Sequence, residues 1–515
     1  MSAADMASHR SYADAITALN SLQTSFAVLE ERRRQGLKMD DSAVREMRQW
    51  ISRAGHAIPE LDRLNIIHVA GTKGKGTTCA YVDSILVKVR ALHGTPNKIG
   101  MYTSPHLLHT RERIRINSEP ISEEAFAKYF FEVWDALEAS ALEDGRDPQH
   151  KPVYFRFLTL MSFHVFIREE VDTAIYEVGV GGAWDSTNVI ERPAVTGITK
   201  LGIDHVVVLG DTIDKIAWHK AGIFKPDCPA FSVEQVPLAT KVLEKRATDQ
   251  GISLNTVEIH PALSQVKVVP DADFQRQNAS LAVALVNALL PKLGQEALSL
   301  DGAVPLTVKQ GLETTKWRGR CETISDGRKT WYLDGAHTDD SLRVGGRWFV
   351  EQAERRRMLK GYSAQPRILV FNQQSRPEAM ELLETLYRSL QPLKFDHVLF
   401  CTNVTRKATG YRRDFVNRNS DPLSVANLIV QKGFSDVWKK LDPSLPPSKI
   451  YLLSTIQEAV ELIDDFSEEL GDLQIFVTGS LHLVGGTISI LEGVLTPVSS
   501  NNDISKNSPA LPKDA

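Results

Sequence analysis

Between residues 71 and 77 the chain reads Gly71-Thr72-Lys73-Gly74-Lys75-Gly76-Thr77. Glycines at this density let backbone N–H groups turn inward around phosphates, and a helix starting at the end of the run adds a favourable dipole. Lys75 can reach the outer phosphates of a nucleotide, and the Thr77 hydroxyl is placed to meet a phosphate-bound Mg²⁺. The spacing departs from the common G-x-x-x-x-G-K-[ST] form, because Gly76 separates the lysine from the threonine. A Gly/Lys-rich surface turn is the plainer alternative. The flanks favour a phosphate loop: the apolar run Asn65–Val69 leads in, and the helix-compatible run Thr77–Arg90 leads out. A second candidate is Glu177, at the end of the β-rich stretch Thr173–Val178 and just before Gly179–Gly182. Ligands of parallel α/β sheets bind at the carboxyl ends of strands. Mg²⁺ prefers oxygen ligands and keeps several waters, so few protein ligands suffice there.

These groups need a scaffold of alternating strands and helices, which indicates a parallel α/β sheet. Asn65–Val69, Thr173–Val178 and Ala194–Thr199 read as strands of one sheet. A second series follows Trp317, with strands at Thr330–Leu333, Arg367–Phe371, His397–Cys401 and Gln474–Thr478. The expected fold is therefore α/β in two domains: a P-loop ATPase-like parallel-sheet domain over 1–318 and a smaller Rossmann-like α/β domain over 319–496. Residues 11–37 have helical spacing and close on a basic turn with Gly36, which predicts one helix. Residues 402–424 are polar and Arg-rich, as a long loop would be. The tail 497–515 lacks apolar residues and is expected to be disordered.

A chain of 515 residues with 42% apolar and 24% charged residues can bury more than one core. Its net charge of -4 argues against general nucleic-acid binding, which needs a basic excess. Cys79, Cys228, Cys321 and Cys401 are scattered without zinc spacing and read as reduced thiols. No apolar run approaches the roughly 20 residues of a membrane-spanning helix, so no membrane association is expected. The first ten residues, MSAADMASHR, hold no signal-peptide core. Cytoplasm is the expected compartment; an alternative start carrying a mitochondrial leader is compatible with this.

The loop G-T-K-G-K-G-T resembles that of the Mur ligase superfamily, which activates carboxylates with ATP. Further motifs narrow the resemblance to folylpolyglutamate synthases of the eukaryotic kind. Thr103-Ser104-Pro105-His106-Leu107, followed by Arg111-Glu112-Arg113-Ile114-Arg115-Ile116-Asn117, is similar to that family's substrate-side loop. Glu177-Val178-Gly179-Val180-Gly181-Gly182, with Asp185, Thr187 and Asn188, is similar to its metal-site stretch. Asp204-His205, Lys220-Ala221-Gly222-Ile223-Phe224-Lys225, Trp317, Gly319-Arg320 and Asp334-Gly335-Ala336-His337 follow in the family's order. The matches are dense from about residue 65 to 340 and thinner to about 490.

The resemblance implies an ATP-dependent ligase that adds L-glutamate to the γ-carboxyl of tetrahydrofolate (poly)glutamates through an acyl phosphate. It implies ATP and Mg²⁺, with a monovalent cation as a further cofactor, and a monomer. It makes Thr77, Ser104, Glu177 and His205 the metal set, and Lys75, Glu177, His205 and Lys220 the catalytic set. A histidine on Mg²⁺ is chemically unusual. Asp185 and Asn188 build turns equally well through their own side chains. Lys220 is the family's carbamylated lysine, a modification that needs an amine made partly neutral by burial beside cations. Arg320, Asp334 and His337 would meet ATP from the second domain. Asn278 resembles a nucleotide-contacting asparagine at a helix start, where it would also serve as an N-cap. A dihydrofolate synthase or bifunctional enzyme is the nearest rival, and Ala183-Trp184 favours the polyglutamating branch over it. A P-loop nucleotide switch is the rival of another class, and Gly76 with the Arg320/Asp334 set argues against it.

Overall fold

The computed structural model describes residues 10–25, 28, 31, 40–300, 303–360, 365–374, 376–406, 414 and 421–493. Eight strands form the first sheet: β1 (Ile67–Ala70), β2 (Ile99–Tyr102), β3 (Ile114–Ile116), β4 (Glu119–Pro120), β5 (Thr173–Glu177), β6 (Val195–Ile198), β7 (Ala230–Val233) and β8 (Leu254–Val257). Their order is β4-β3-β2-β5-β1-β6-β7-β8. From β2 to β8 the pairings are parallel, and β3 and β4 add an antiparallel edge. Every residue of β1 and β5 is buried, the pattern required when helices cover both faces. Side chains of Phe126, Phe130, Phe157 and Phe163, from helices Glu123–Glu143 and Tyr154–Arg168, fill one face. Helices Lys75–His93, Asp273–Leu289 and Leu306–Thr314 cover the other around Val82, Ile85, Leu285 and Val308.

The second sheet holds β9 (Glu322–Asp326), β10 (Lys329–Asp334), β11 (Arg367–Phe371), β12 (His397–Cys401), β13 (Ile450–Leu453) and β14 (Leu473–Thr478). Its order is β13-β12-β11-β14-β10-β9, parallel except for the β9–β10 hairpin. Helices Asp339–Lys360, Ala379–Ser389 and Ile429–Leu441 pack one face, and Ile456–Leu470 with Leu481–Leu491 the other. Leu107 and Leu108, from the loop after β2, join that last core and so tie the two sheets together. Among the described residues, no helix is long and apolar enough to cross a membrane.

Several sequence expectations need correction. The helix expected over 11–37 ends at Ser21, where Leu22 caps it through bonds to Asn20 and Leu19 carbonyls. Most of 26–39 lies outside the described residues, as do the tail from 494 and residues 407–413 and 415–420 of the expected long loop. That loop's end is helical instead, because Asp421 caps and Pro422 begins the turn Pro422–Ala426. Strand β2 was not expected, since a glycine interrupts its four residues. Gly100 is there because a Cβ would stand 3.0 Å from the Phe166 ring.

Candidate active site

Each glycine of the 71–77 run answers a close approach. At Gly71 (φ +147°) a Cβ would overlap Thr199 Oγ1, and at Gly74 (φ +85°) it would overlap Asn278 Oδ1. At Gly76 it would stand 3.1 Å from the Trp317 ring, which explains the residue that broke the common spacing. The amides of Thr72 and Lys73 both donate to Lys200 O at 3.0 Å, and Thr72 Oγ1 donates to Gly202 O at 3.1 Å. These bonds anchor the loop to the chain leaving β6. The helix Lys75–His93 then makes its first internal bond from Thr78 N to Gly74 O. The amides of Lys75, Gly76 and Thr77 precede it, and such first-turn amides are what a phosphate accepts from.

Parallel strands deliver the neighbouring groups to the same edge. Val69 pairs with Glu177 in register, and Tyr102 with Tyr176, so the ends of β1, β5 and β2 lie side by side. Ser104 N donates to Glu177 Oε2 at 2.9 Å. Burial raises the Glu177 carboxyl's pKa, against the pull of Lys75, the Ser104 amide and Arg320. Lys220 Nζ, also buried, donates to Gly71 O at 2.7 Å. Burial first, and the charge of Lys75 second, bring Lys220 down to about 7. His205 holds a left-handed backbone (φ 51°) at the start of helix Val206–Leu209, its ring 3.9 Å from Asp204. Burial lowers its pKa, with Asp204 opposing. Among the described residues, no three His, Cys, Asp or Glu side chains converge as a metal-binding group.

The second sheet presents its own edge to this one. Lys73 Nζ donates to Thr338 Oγ1 across the gap. Both terminal nitrogens of Arg376 reach Asp204 Oδ1 at 3.1 Å. Burial works to raise the Asp204 pKa, yet His205 and Arg376 hold it at about 2. Arg320 Nη1 donates to Gly335 O at 3.3 Å. Asp334 Oδ2 accepts from Cys321 N at 2.8 Å and Oδ1 from Ala336 N at 3.0 Å, which fixes the turn that carries Arg320. His337 Nδ1 lies 2.9 Å from Gly335 O and so carries the proton. Burial, then Arg320, bring this ring to about 4, leaving it neutral with Nε2 as an acceptor.

Some expected roles change. Asn278 is the sixth residue of helix Asp273–Leu289 and not its start, so it caps nothing. Its Nδ2 donates to Gln275 Oε1 at 3.0 Å, which turns its Oδ1 onto Gly74. His106 sits half-buried between Arg113 Nε, which donates to its Nδ1 at 3.0 Å, and Asp414 O, 3.1 Å from its Nε2. Burial and Arg113 push its pKa far down, a neutral ring that braces the loop. Thr103 N donates to Arg113 O at 3.1 Å, setting the same loop's base. Asp185 is a turn builder: Thr187 N and Oγ1 donate to its Oδ1, and Val180 N to its Oδ2. Asn188 Nδ2 likewise ties Ala183 O to Gly222 O. Sequence reasoning missed Arg376 and Thr338. A lone Arg or Thr in a loop carries no spacing signal, and their partners lie 172 and 265 positions away.

Comparison with known proteins adds independent findings. No family model matches the chain. A folylpolyglutamate synthase of Neurospora crassa is 52% identical over 494 residues, spanning 94% of this chain and 92% of that protein. One from Saccharomyces cerevisiae is 45% identical over 495 residues, spanning 94% and 88%. Among solved structures, the Mycobacterium tuberculosis folylpolyglutamate synthase complexed with ADP superposes with a TM-score of 0.66 at 25% identity, covering 94% of this chain and all of that one.

Proposed function

The chain belongs to the folylpolyglutamate synthase family, and from that premise we propose how its residues perform the ATP-dependent addition of L-glutamate to folates. The γ-carboxylate of a reduced folate takes the γ-phosphoryl group of ATP, giving an acyl phosphate and ADP. The amine of L-glutamate then attacks the acyl carbon, phosphate leaves, and the amine gives up a proton as the amide forms. Phosphoryl transfer asks mainly for positioning and neutralised charge.

The observation that carries this reading is that the two halves of the molecule meet at the phosphate loop, where Lys73 Nζ donates to Thr338 Oγ1 and Arg376 pairs with Asp204 beside His205. Lys75 of the loop and Arg320 of the second domain both favour the charged form of Glu177, the carboxylate at the end of β5. ATP in that cleft would meet the amides of Lys75, Gly76 and Thr77, with Lys75 and Arg320 on its phosphates. The Gly71–Gly74 turn shapes the cradle, and Asn278 packs so closely on Gly74 that no side chain fits there. Asp334 orients the Arg320 turn, and neutral His337 offers Nε2 to a hydroxyl or amino donor of the nucleotide. Thr103, Ser104, Pro105 and His106 form the folate-side wall.

The donor set suits Mg²⁺. Glu177 Oε2 is held by Ser104 N, which orients the carboxylate while it retains acceptor capacity. Thr77, Ser104 and Glu177 supply oxygen, and His205 a neutral nitrogen, to an ion that would neutralise the phosphates and keep waters for its other positions. Lys220, buried beside Lys75, is set up for carbamylation, which would turn a cation at the loop's base into an anion. Both halves of the site come from one chain, with the division placed at 318 and 319, which supports a monomer as the working unit. Four free, buried cysteines support a reducing compartment such as the cytoplasm.

The test is a product mass spectrum. Full-length protein with ATP, Mg²⁺, tetrahydrofolate and L-glutamate should yield folates heavier by successive glutamyl units. Dihydropteroate in place of folate should yield nothing. Product from dihydropteroate would assign a bifunctional enzyme instead, and no product from either would overturn the ligase reading.

A further inference from the structure

A cavity of about 1020 Å³ lies between helices Val206–Leu209, Ile213–Lys220 and Pro237–Asp249. It is separate from the phosphate loop yet shares a wall with the site. Helix Ile213–Lys220 sends Lys220 inward to Gly71 O, while Trp218 and His219 line the cavity. His219 O accepts from Ala183 N at 2.7 Å, and Leu209 Cδ2 stands 2.9 Å from a Cβ placed on Gly181. Gly181 and Ala183 belong to the loop that leaves Glu177.

The lining combines apolar surface with cations. Trp218 is 37% exposed and Val206 44%, large apolar groups left open beside a functional cleft. The Arg246 guanidinium lies 4.7 Å over the Trp218 ring. Three carboxylates also line the cavity, but Asp211 pairs with Lys215 at 2.9 Å, Asp249 acts on Arg246, and Asp214 is held by Thr212. Lys241 and Lys245 stand one helical turn apart, and among the described residues neither has an ion-pair partner. Like charges at this spacing repel, a cost that an anionic ligand reverses.

We propose that this cavity binds the oligo-γ-glutamate tail of the folate. The inference rests on the ligase reading above and extends it to the part of the substrate that lengthens each round. Such a tail carries one α-carboxylate per residue with methylenes between. Carboxylates would pair with Lys241, Lys245 and Arg246, and methylenes would lie on Trp218, Val206 and Leu209. The growing end would reach Glu177 by way of His205, whose chain neighbour Val206 lines the cavity.

The experiment compares wild type with the Lys241→Ala/Lys245→Ala double variant, on tetrahydrofolate bearing one glutamate and bearing five. Two exposed ion pairs lost should raise KM for the five-glutamate substrate about tenfold, with its kcat and both constants for the one-glutamate substrate unchanged. Equal changes for both substrates, or none, would overturn the tail site while leaving the ligase reading intact. A second readout needs no catalysis. Free penta-γ-glutamate should quench tryptophan fluorescence of the full chain, and Trp218→Phe should remove that response. No quenching, or equal quenching by α-linked pentaglutamate, would contradict a site built for the tail. Absence of ligation by wild type would instead sink the ligase reading.

Discussion

Replacing Gly74 by alanine tests whether the phosphate loop is held by its neighbours as described. At φ +85° an alanine sits in the left-handed region, at a cost of about 1 kcal/mol over glycine. Its Cβ would overlap Asn278 Oδ1 and stand 2.9 Å from both Cγ and Nδ2. Carbon neighbours attract only near roughly 3.5–4 Å, so one side has to move. Moving Asn278 breaks its bond to Gln275, worth about 1 kcal/mol, and forcing a methyl into a packed site adds about 1–3 kcal/mol. The total is about 3–5 kcal/mol, a fall in Tm of about 5–8 °C for a domain of about 300 residues. Calorimetry would read the stability, and equilibrium binding of a non-hydrolysable ATP analogue would read the loop. The Gly74→Ala/Asn278→Ala double variant removes the clashing amide. It should recover at least about 1 kcal/mol relative to the sum of the single changes, the non-additivity expected of residues in contact. A single variant that melts with wild type, or a double variant that is strictly additive, would refute the packing argument.

Lys75→Ala should leave the Tm near wild type and lower turnover on the order of a thousandfold, because one phosphate-neutralising cation is lost in the transition state; near-normal turnover would remove Lys75 from the phosphates. Arg320→Ala should worsen both kcat and the KM for ATP, as expected for a group that engages only when two domains close on a ligand; unchanged ATP kinetics would place the phosphates away from the second domain. Lys220, brought to about 7 by burial and Lys75, is mostly protonated below that pH and mostly neutral above it. Only the neutral amine takes up CO₂, so in bicarbonate the intact mass should show one added CO₂ increasingly from about pH 6 to about pH 8. No adduct at any pH would leave Lys220 as a plain donor to Gly71.

What the sequence made legible was local. Strands β11 and β12 were read to the residue because each is a compact apolar run flanked by polar turns. The 71–77 loop and Glu177 carried a local signal, a strand end followed by small residues, whereas the Asp334–His337 turn stood out only through the family resemblance. Elements shaped by distant packing were not. Strand β2 carries a glycine that only the Phe166 ring explains, and β8 is an exposed edge strand with little apolar signal. Asn278 looked like a cap because Asn favours caps, yet its helix begins five residues earlier at Asp273. The inter-sheet contacts were the least legible. Tyr12 OH donates to Asp414 Oδ1 at 2.6 Å across 402 positions, and Arg376 meets Asp204 across 172. Nothing in local periodicity encodes such pairs.

The most direct measurement is ADP release by the full-length protein with each substrate withheld in turn. With folate and L-glutamate both present, ADP should accumulate steadily. With folate alone, release should stop within about one equivalent of enzyme, because the acyl phosphate waits for an amine. Glutamate alone should release none. Steady ADP release with neither substrate, or with glutamate alone, would contradict folate-dependent ligation and point to a nucleotide switch built on the same loop.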